Sequence, residues 1–140
     1  MLIKNGLVFS EDFSLYEGDV FTQLDRISKP HFDADVLDAT GCIVAPGFID
    51  IHIHGAFGTD FCESTRKAHE NIARYLASVG ITSYLGTTMA MKKPVLLSMV
   101  RSAGEFMDNP VEGGAVMRGI NLEGPFAAVE KKGAMDPNNL

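Results

Sequence analysis

The sequence predicts an α/β chain in two parts, a small all-β unit over residues 1–47 and a parallel strand–helix repeat over residues 48–140. Three observations carry this: short apolar runs without helical periodicity before about residue 64, a break at Pro46-Gly47, and strands alternating with amphipathic helices after it. With 46% hydrophobic and 21% charged residues, the 140-residue chain has the make-up of a folded domain and not of a disordered or fibrous one.

In the first part Leu2-Ile3 and Leu7-Val8-Phe9 read as strands around an Asn5-Gly6 turn. Further strands are expected over Asp19 to Ile27, Val36 to Asp38 and Cys42 to Ala45, with Thr40-Gly41 as a second turn. In the second part Phe48 to His54 is the first strand. Ser64 or Thr65 can cap a helix whose apolar stripe is Ala68, Ile72, Tyr75, Leu76 and Val79, and Gly80 stands where helices end. Ile81 to Thr87 is the next strand. Pro94 suits a first helical turn, and Val95, Met99, Val100, Ala103, Phe106 and Met107 form a second stripe that Asn109-Pro110 stops. Ala115 to Leu122 is the third strand, and Glu123-Gly124-Pro125 turns out of it. The chain then stops in the polar stretch Asp136 to Leu140, as expected of a piece of something longer.

Several classes of function are excluded by composition. Twelve Lys plus Arg against 18 Asp plus Glu give a net charge of −6, and no basic stripe is present to neutralise phosphates, so nucleic acid is not an expected partner. The longest apolar stretch, Cys42 to Ile53, is broken by Pro46, Gly47 and Asp50, far short of the ~18 residues that span a bilayer. No membrane association is expected. No secretion signal opens the chain, and two cysteines, Cys42 and Cys62, make no disulfide framework, which points to the cytoplasm.

Side chains alternate along a strand, so Asp50, His52 and His54 are expected on one face and Ile49, Ile51 and Ile53 on the other, where helices would cover them. Two imidazoles about 6.6 Å apart at the C-terminal end of a parallel strand can reach one metal ion. His-x-His alone is a weak signal, and a hydrogen-bonded histidine pair explains it as well. On the third strand Met117, Gly119, Asn121 and Glu123 share a parity, which brings Glu123 to the same sheet end as a third ligand. Two imidazoles and a carboxylate suit Zn²⁺, Fe²⁺, Mn²⁺ or Co²⁺ without choosing among them. His31, in a polar loop, and His69, expected to face solvent on the first helix, are given no role. Cys62 reads as a free thiol, the methionines as gap-fillers, and Asp60 as a loop-ordering residue or a partner for a ligand.

These residues resemble a family. Ala45-Pro-Gly-Phe-Ile-Asp-Ile-His-Ile-His-Gly55 is similar to the first barrel strand of the amidohydrolase superfamily. The stretches Gly80 to Thr87, Gly119-Ile-Asn-Leu-Glu-Gly-Pro-Phe126 and Lys131-Lys-Gly-Ala134 narrow the resemblance to the N-acetylglucosamine-6-phosphate deacetylases. The resemblance implies a (β/α)₈ TIM-type barrel preceded by a β-sandwich portion, with this chain supplying sandwich strands, three barrel strands and two helices. It implies Glu123 as the catalytic-metal ligand, His52 and His54 as a further metal-binding pair, and Gly133, Ala134 and Met135 beside the substrate. The implied reaction is metal-dependent hydrolysis of N-acetylglucosamine 6-phosphate to glucosamine 6-phosphate and acetate. The partner is thus a phosphorylated amino sugar, and the complete enzyme is expected to be a homodimer.

The catalytic aspartate, the remaining metal histidines and the phosphate-binding residues are implied to lie beyond Leu140, so this chain alone is expected to be inactive. Two positions depart from the pattern: Met135 stands where the family usually has histidine, and Gly86 where it usually has proline. The alternatives are another amidohydrolase, acting on a cyclic amide or a different N-acyl sugar, and a non-catalytic fragment. Glu123 within Leu-Glu-Gly-Pro favours the deacetylase, because dihydroorotases and hydantoinases commonly use a carboxylated lysine on a later strand.

Overall fold

The computed structural model describes residues 1–24, 26–31 and 33–140. The chain divides into two units, Met1–Pro46 and Gly47–Leu140, one residue before the expected boundary. No helix among the described residues is long and apolar enough to cross a membrane.

The first unit is a sheet centred on β1 (Leu2–Phe9). One edge of β1 pairs antiparallel with β2 (Leu15–Gln23), which carries β3 (Arg26–Ile27) on its far side. Its other edge pairs in parallel with β4 (Val36–Asp38) and, further along, with β5 (Ile43–Val44). The single strand expected over Asp19 to Ile27 is instead β2 and β3, and its Asp25 lies outside the described residues.

Asn5-Gly6 is not a turn but a bulge within β1, where three steps from Ile3 to Gly6 face two from Val20 to Gly18. Asn5 takes the left-handed conformation at φ 62, which asparagine tolerates better than most residues. Its amide donates to Asp38 Oδ1 at 3.1 Å, tying β1 to the end of β4. Thr40-Gly41 does turn, with the Cys42 N–H on the Ala39 carbonyl. Hydrogen bonds from Thr40 and Asn5 hold the Asp38 carboxyl below its ordinary range.

In the second unit β6 (Phe48–Ile53), the small hairpin β7 (Gly55–Ala56) and β8 (Thr59–Asp60), helix α1 (Arg66–Ser78), β9 (Ile81–Thr87), helix α2 (Lys93–Asp108) and β10 (Val116–Asn121) follow in order. The three long strands form a parallel sheet in the order β10-β9-β6, so β9 is flanked on both edges. Thr65 caps α1 by accepting from the Ala68 N–H, and Gly80 follows the helix at φ 85. Ala68, Ile72, Ala73 and Leu76 of α1 and Met99, Ala103 and Phe106 of α2 are buried. The core cluster joins Ile72, Leu76 and Phe106 to Phe61, Tyr84 and Met117.

Four expectations from periodicity fail here. Tyr75 and Val79 lie at the rim of the α1 stripe and are exposed, Tyr75 stacking on Phe57 at 5.8 Å. Val95 and Val100 of α2 are likewise exposed. His69 is buried, 1% exposed, between the rings of Phe61 and Phe106 at 5.2 and 5.4 Å. Its Nε2 reaches Ser102 Oγ at 3.0 Å, and that hydroxyl donates onward to the Ser64 carbonyl at 2.8 Å, while Nδ1 is buried without a partner, so the ring is held by one polar tie and by its packing between the two phenyl rings. The isoleucine face of β6 is not covered: Ile49 and Ile51 are 70% and 66% exposed, and only Ile53 packs against the core. The cluster that α1 and α2 enclose is built on β9 and β10, and β6 stands at the edge of the sheet.

Strand alternation is also interrupted. Between Tyr84 and Gly86 of β9 each flanking strand inserts one extra residue: Asp50 to Ile53 on β6 and Met117 to Ile120 on β10 take three steps against two. Met117 and Ile120 therefore both reach the core, and Met117 does not share a face with Asn121. Asp50 is separated from the histidine pair in the same way, its carboxylate accepting from the His52 N–H at 3.0 Å. Gly86, where the resemblance implies proline, lies against Phe61; a Cβ there would sit 2.1 Å from the ring.

Candidate metal centre

Both bulges lie just before the C-terminal ends of β6 and β10, and those ends carry His52, His54 and Glu123. Bulges re-aim the side chains that follow them and recur beside active sites. Thr87, at the end of β9, takes the Ile53 N–H on its hydroxyl at 3.0 Å, supporting the backbone between the two histidines. After Glu123 the chain leaves at once through Gly124, at φ 81, where a Cβ would meet that of Ala90 at 2.8 Å.

The three predicted ligands come together. His52 Nε2 and His54 Nε2 are 3.2 Å apart, and Glu123 Oε2 lies 3.1 Å from the first and 2.8 Å from the second. Neighbouring ligand atoms about one ion, bound at ~2.1 Å with angles of 90–109°, stand ~3.0–3.4 Å apart. Two sides of the triangle have that size, and the third, 2.8 Å, is slightly shorter. Glu123 Oε2 is buried and makes no hydrogen bond, although two imidazole nitrogens lie against it. Buried polar atoms in proteins are almost always paired, so an orphan acceptor flanked by two nitrogens fits a shared cation. A divalent first-row ion suits the donor set. His54 Nδ1 is also buried without a partner, while His52 Nδ1 meets the Asn121 amide at 3.3 Å.

A cleft of about 370 Å³ opens beside the triangle. His54 and Glu123 line one side, and Lys131, Gly133, Ala134 and Met135 the other. The loop that carries Gly133 to Met135 is held by Lys132, whose Nζ donates to the Met135 carbonyl at 2.8 Å and the Gly133 carbonyl at 3.2 Å. Asp136 follows, its carboxyl kept below the ordinary range by hydrogen bonds from Asn138.

The other candidates stand apart. Asp60 orders its own loop, its carboxylate accepting from the Cys62 N–H at 2.6 Å while Glu63 accepts from the Asp60 N–H. Cys62 is a free, half-buried thiol whose pKa burial pushes up, and it is not among the clustered ligand atoms. His31 lies in the first unit beside Phe21, and His69 in the core. Sequence reasoning missed Asn121 and Thr87. The available signal was their place: polar residues at the C-terminal ends of parallel strands.

No protein-family model matches the chain. Among curated proteins it is 38% identical over 137 residues to the N-acetylglucosamine-6-phosphate deacetylase of Homo sapiens, covering 95% of this chain and 33% of that protein. Among solved structures, the deacetylase of the same name from Thermotoga maritima superposes with a TM-score of 0.80 at 27% identity, over 99% of this chain and 36% of that one. A D-hydantoinase from a Bacillus species gives 0.51 at 28% identity, over 92% and 28%. The chain spans about a third of the length of the curated relatives it matches.

Proposed function

We propose that this chain, a relative of the N-acetylglucosamine-6-phosphate deacetylases over nearly its whole length, supplies the metal ligands and one wall of the substrate cleft of such an enzyme. The reaction is hydrolysis of the acetamide of N-acetylglucosamine 6-phosphate to glucosamine 6-phosphate and acetate. The three parallel strands with α1 and α2 are the opening of a (β/α)₈ barrel, and the first unit is part of its sandwich domain. The observation that carries the reading is the convergence of Glu123, His52 and His54 on one point beside the Lys131–Met135 cleft.

Glu123 and the two histidines would hold a divalent ion, which lowers the pKa of a bound water and polarises an amide carbonyl. The cleft beside them is where an acetamide would lie against Gly133 and Ala134. Met135, which replaces the family's usual histidine, offers only a thioether there and cannot donate a hydrogen bond to substrate. The aspartate that moves the proton to the leaving amine has its place beyond Leu140, so these 140 residues alone give no turnover. Cytoplasmic location and a homodimer complete the reading. A cyclic amidase is the weaker alternative, since the fit to the hydantoinase is poorer than to the deacetylase.

The test is acetate release from N-acetylglucosamine 6-phosphate by the protein as its source cells make it. Metal-dependent release that is lost without the 6-phosphate and abolished in Glu123→Gln supports the reading. Unchanged metal content and rate in Glu123→Gln would overturn it.

A further inference from the structure

The chain that leaves His54 returns to it. After the hairpin of β7 and β8, the 3₁₀ turn Phe61–Glu63 opens with the Phe61 N–H on the His54 carbonyl at 2.6 Å, so the turn grips the backbone of a candidate ligand. Its start is closed by the reciprocal hydrogen bonds of Asp60 and Glu63. Its end is less well closed: Ser64 stands in the left-handed region at φ 53, with its N–H on the Phe61 carbonyl at 3.3 Å. A serine keeps that conformation only where its surroundings impose it, and a single 3₁₀ turn has little stability of its own.

At Ser64 the constraint comes from the core. Ser102 Oγ donates its one proton to the Ser64 carbonyl at 2.8 Å, so it must accept from His69 Nε2, 3.0 Å away. The same imidazole packs on the ring of Phe61 at 5.2 Å. His69 thus holds both ends of the turn, the first by ring contact and the last through Ser102, while its Nδ1 stays buried without a partner. An apolar side chain would fill the core without that orphan nitrogen, so the polar ring is explained by the tie it makes.

We propose that His69 is a positioning residue for the metal centre: it clamps the turn of residues 61–64 from the core, and the clamped turn fixes the His54 backbone so that its Nε2 meets Glu123 and His52. This rests on reading those three residues as a ligand set. His69 is not among the clustered ligand atoms and acts through Phe61 and one backbone hydrogen bond.

Three variants of the protein as its source cells make it, freed of metal, test this. His69→Leu keeps the core filled without the tie, Ser102→Ala removes the tie and keeps the imidazole, and His69→Gln restores a donor toward Ser102. In the first two the Phe61 amide should exchange with solvent about tenfold faster while amides inside α1 exchange as in wild type. Zn²⁺, titrated against a chromophoric chelator, should bind both about tenfold more weakly, at the low end of what groups behind a metal ligand command. His69→Gln should bring both readouts back toward wild type. Unaltered Phe61 exchange or Zn²⁺ affinity in His69→Leu and Ser102→Ala overturns the proposal, and so does faster exchange spread evenly over α1 and the turn, or a His69→Gln chain no closer to wild type than His69→Leu. Failure of the ligand reading looks different: Glu123→Gln then binds Zn²⁺ as well as wild type, while the Phe61 amide still reports on His69.

Discussion

The two units are held together by different means. In the first, only Val8 and Ala39 are buried among the described hydrophobic residues, while Leu7, Phe9, Leu15, Leu24, Val36 and Ile43 stay exposed; the sheet rests on backbone pairing and on short polar ties such as Asn5 to Asp38. In the second, α1 and α2 enclose a continuous apolar cluster over β9 and β10. The candidate site belongs to the second kind of structure. Side chains that must converge to within about 3 Å need a backbone that does not yield, and close packing supplies it.

If this contrast is right, Phe61→Ala should give the largest effect. Phe61 is 1% exposed at the centre of the cluster, and its truncation should cost about 3–5 kcal/mol, seen as lost hydrogen-exchange protection throughout the second unit. Leu24→Ala, at a 98% exposed position of the first unit, should change stability by no more than about 0.5 kcal/mol. Equal effects would erase the distinction. Gly86→Ala should come next, at about 1–3 kcal/mol in urea unfolding, because the new methyl must displace the Phe61 ring from a filled core.

A smaller effect should separate the units by pH. Burial holds the His69 pKa below its ordinary value of about 6.5, so the unfolded chain binds a proton there before the folded one does. The second unit is then fully stable above about pH 6.5 and weakens as pH falls below it, by at most about 1.4 kcal/mol per pH unit from this residue. Urea midpoints measured across that range should fall in wild type and flatten in His69→Gln. The smallest change should be a gain. Tyr84 is fully buried and its hydroxyl has no partner, so Tyr84→Phe should stabilise the second unit by up to about 1 kcal/mol in the same urea titration.

The order of elements was legible from punctuation: Pro46-Gly47, Gly80, Pro94 and Asn109-Pro110 mark real boundaries because each acts through local backbone geometry. The three candidate ligands were legible because each sits at or beside the C-terminal end of a strand. What periodicity could not show was the pair of bulges opposite Leu85, since an extra residue leaves no trace in composition yet reverses the parity of all that follows. Hence Met117 and Asp50 were assigned to the wrong side. His69 was misjudged for another reason: its polarity suggested solvent, but its partners, Ser102 and through it Ser64, come from more than thirty residues away or from outside the helix.

The contact between Gly86 and Phe61 also constrains how this sequence can change over time. With the ring in place, any side chain at position 86, proline included, meets it at 2.1 Å; with a smaller residue at 61 first, the space is open. The two positions are therefore contingent on one another. A larger residue at 86 therefore costs less once residue 61 is smaller, and on the return the cheaper order is to shrink residue 86 before residue 61 is enlarged.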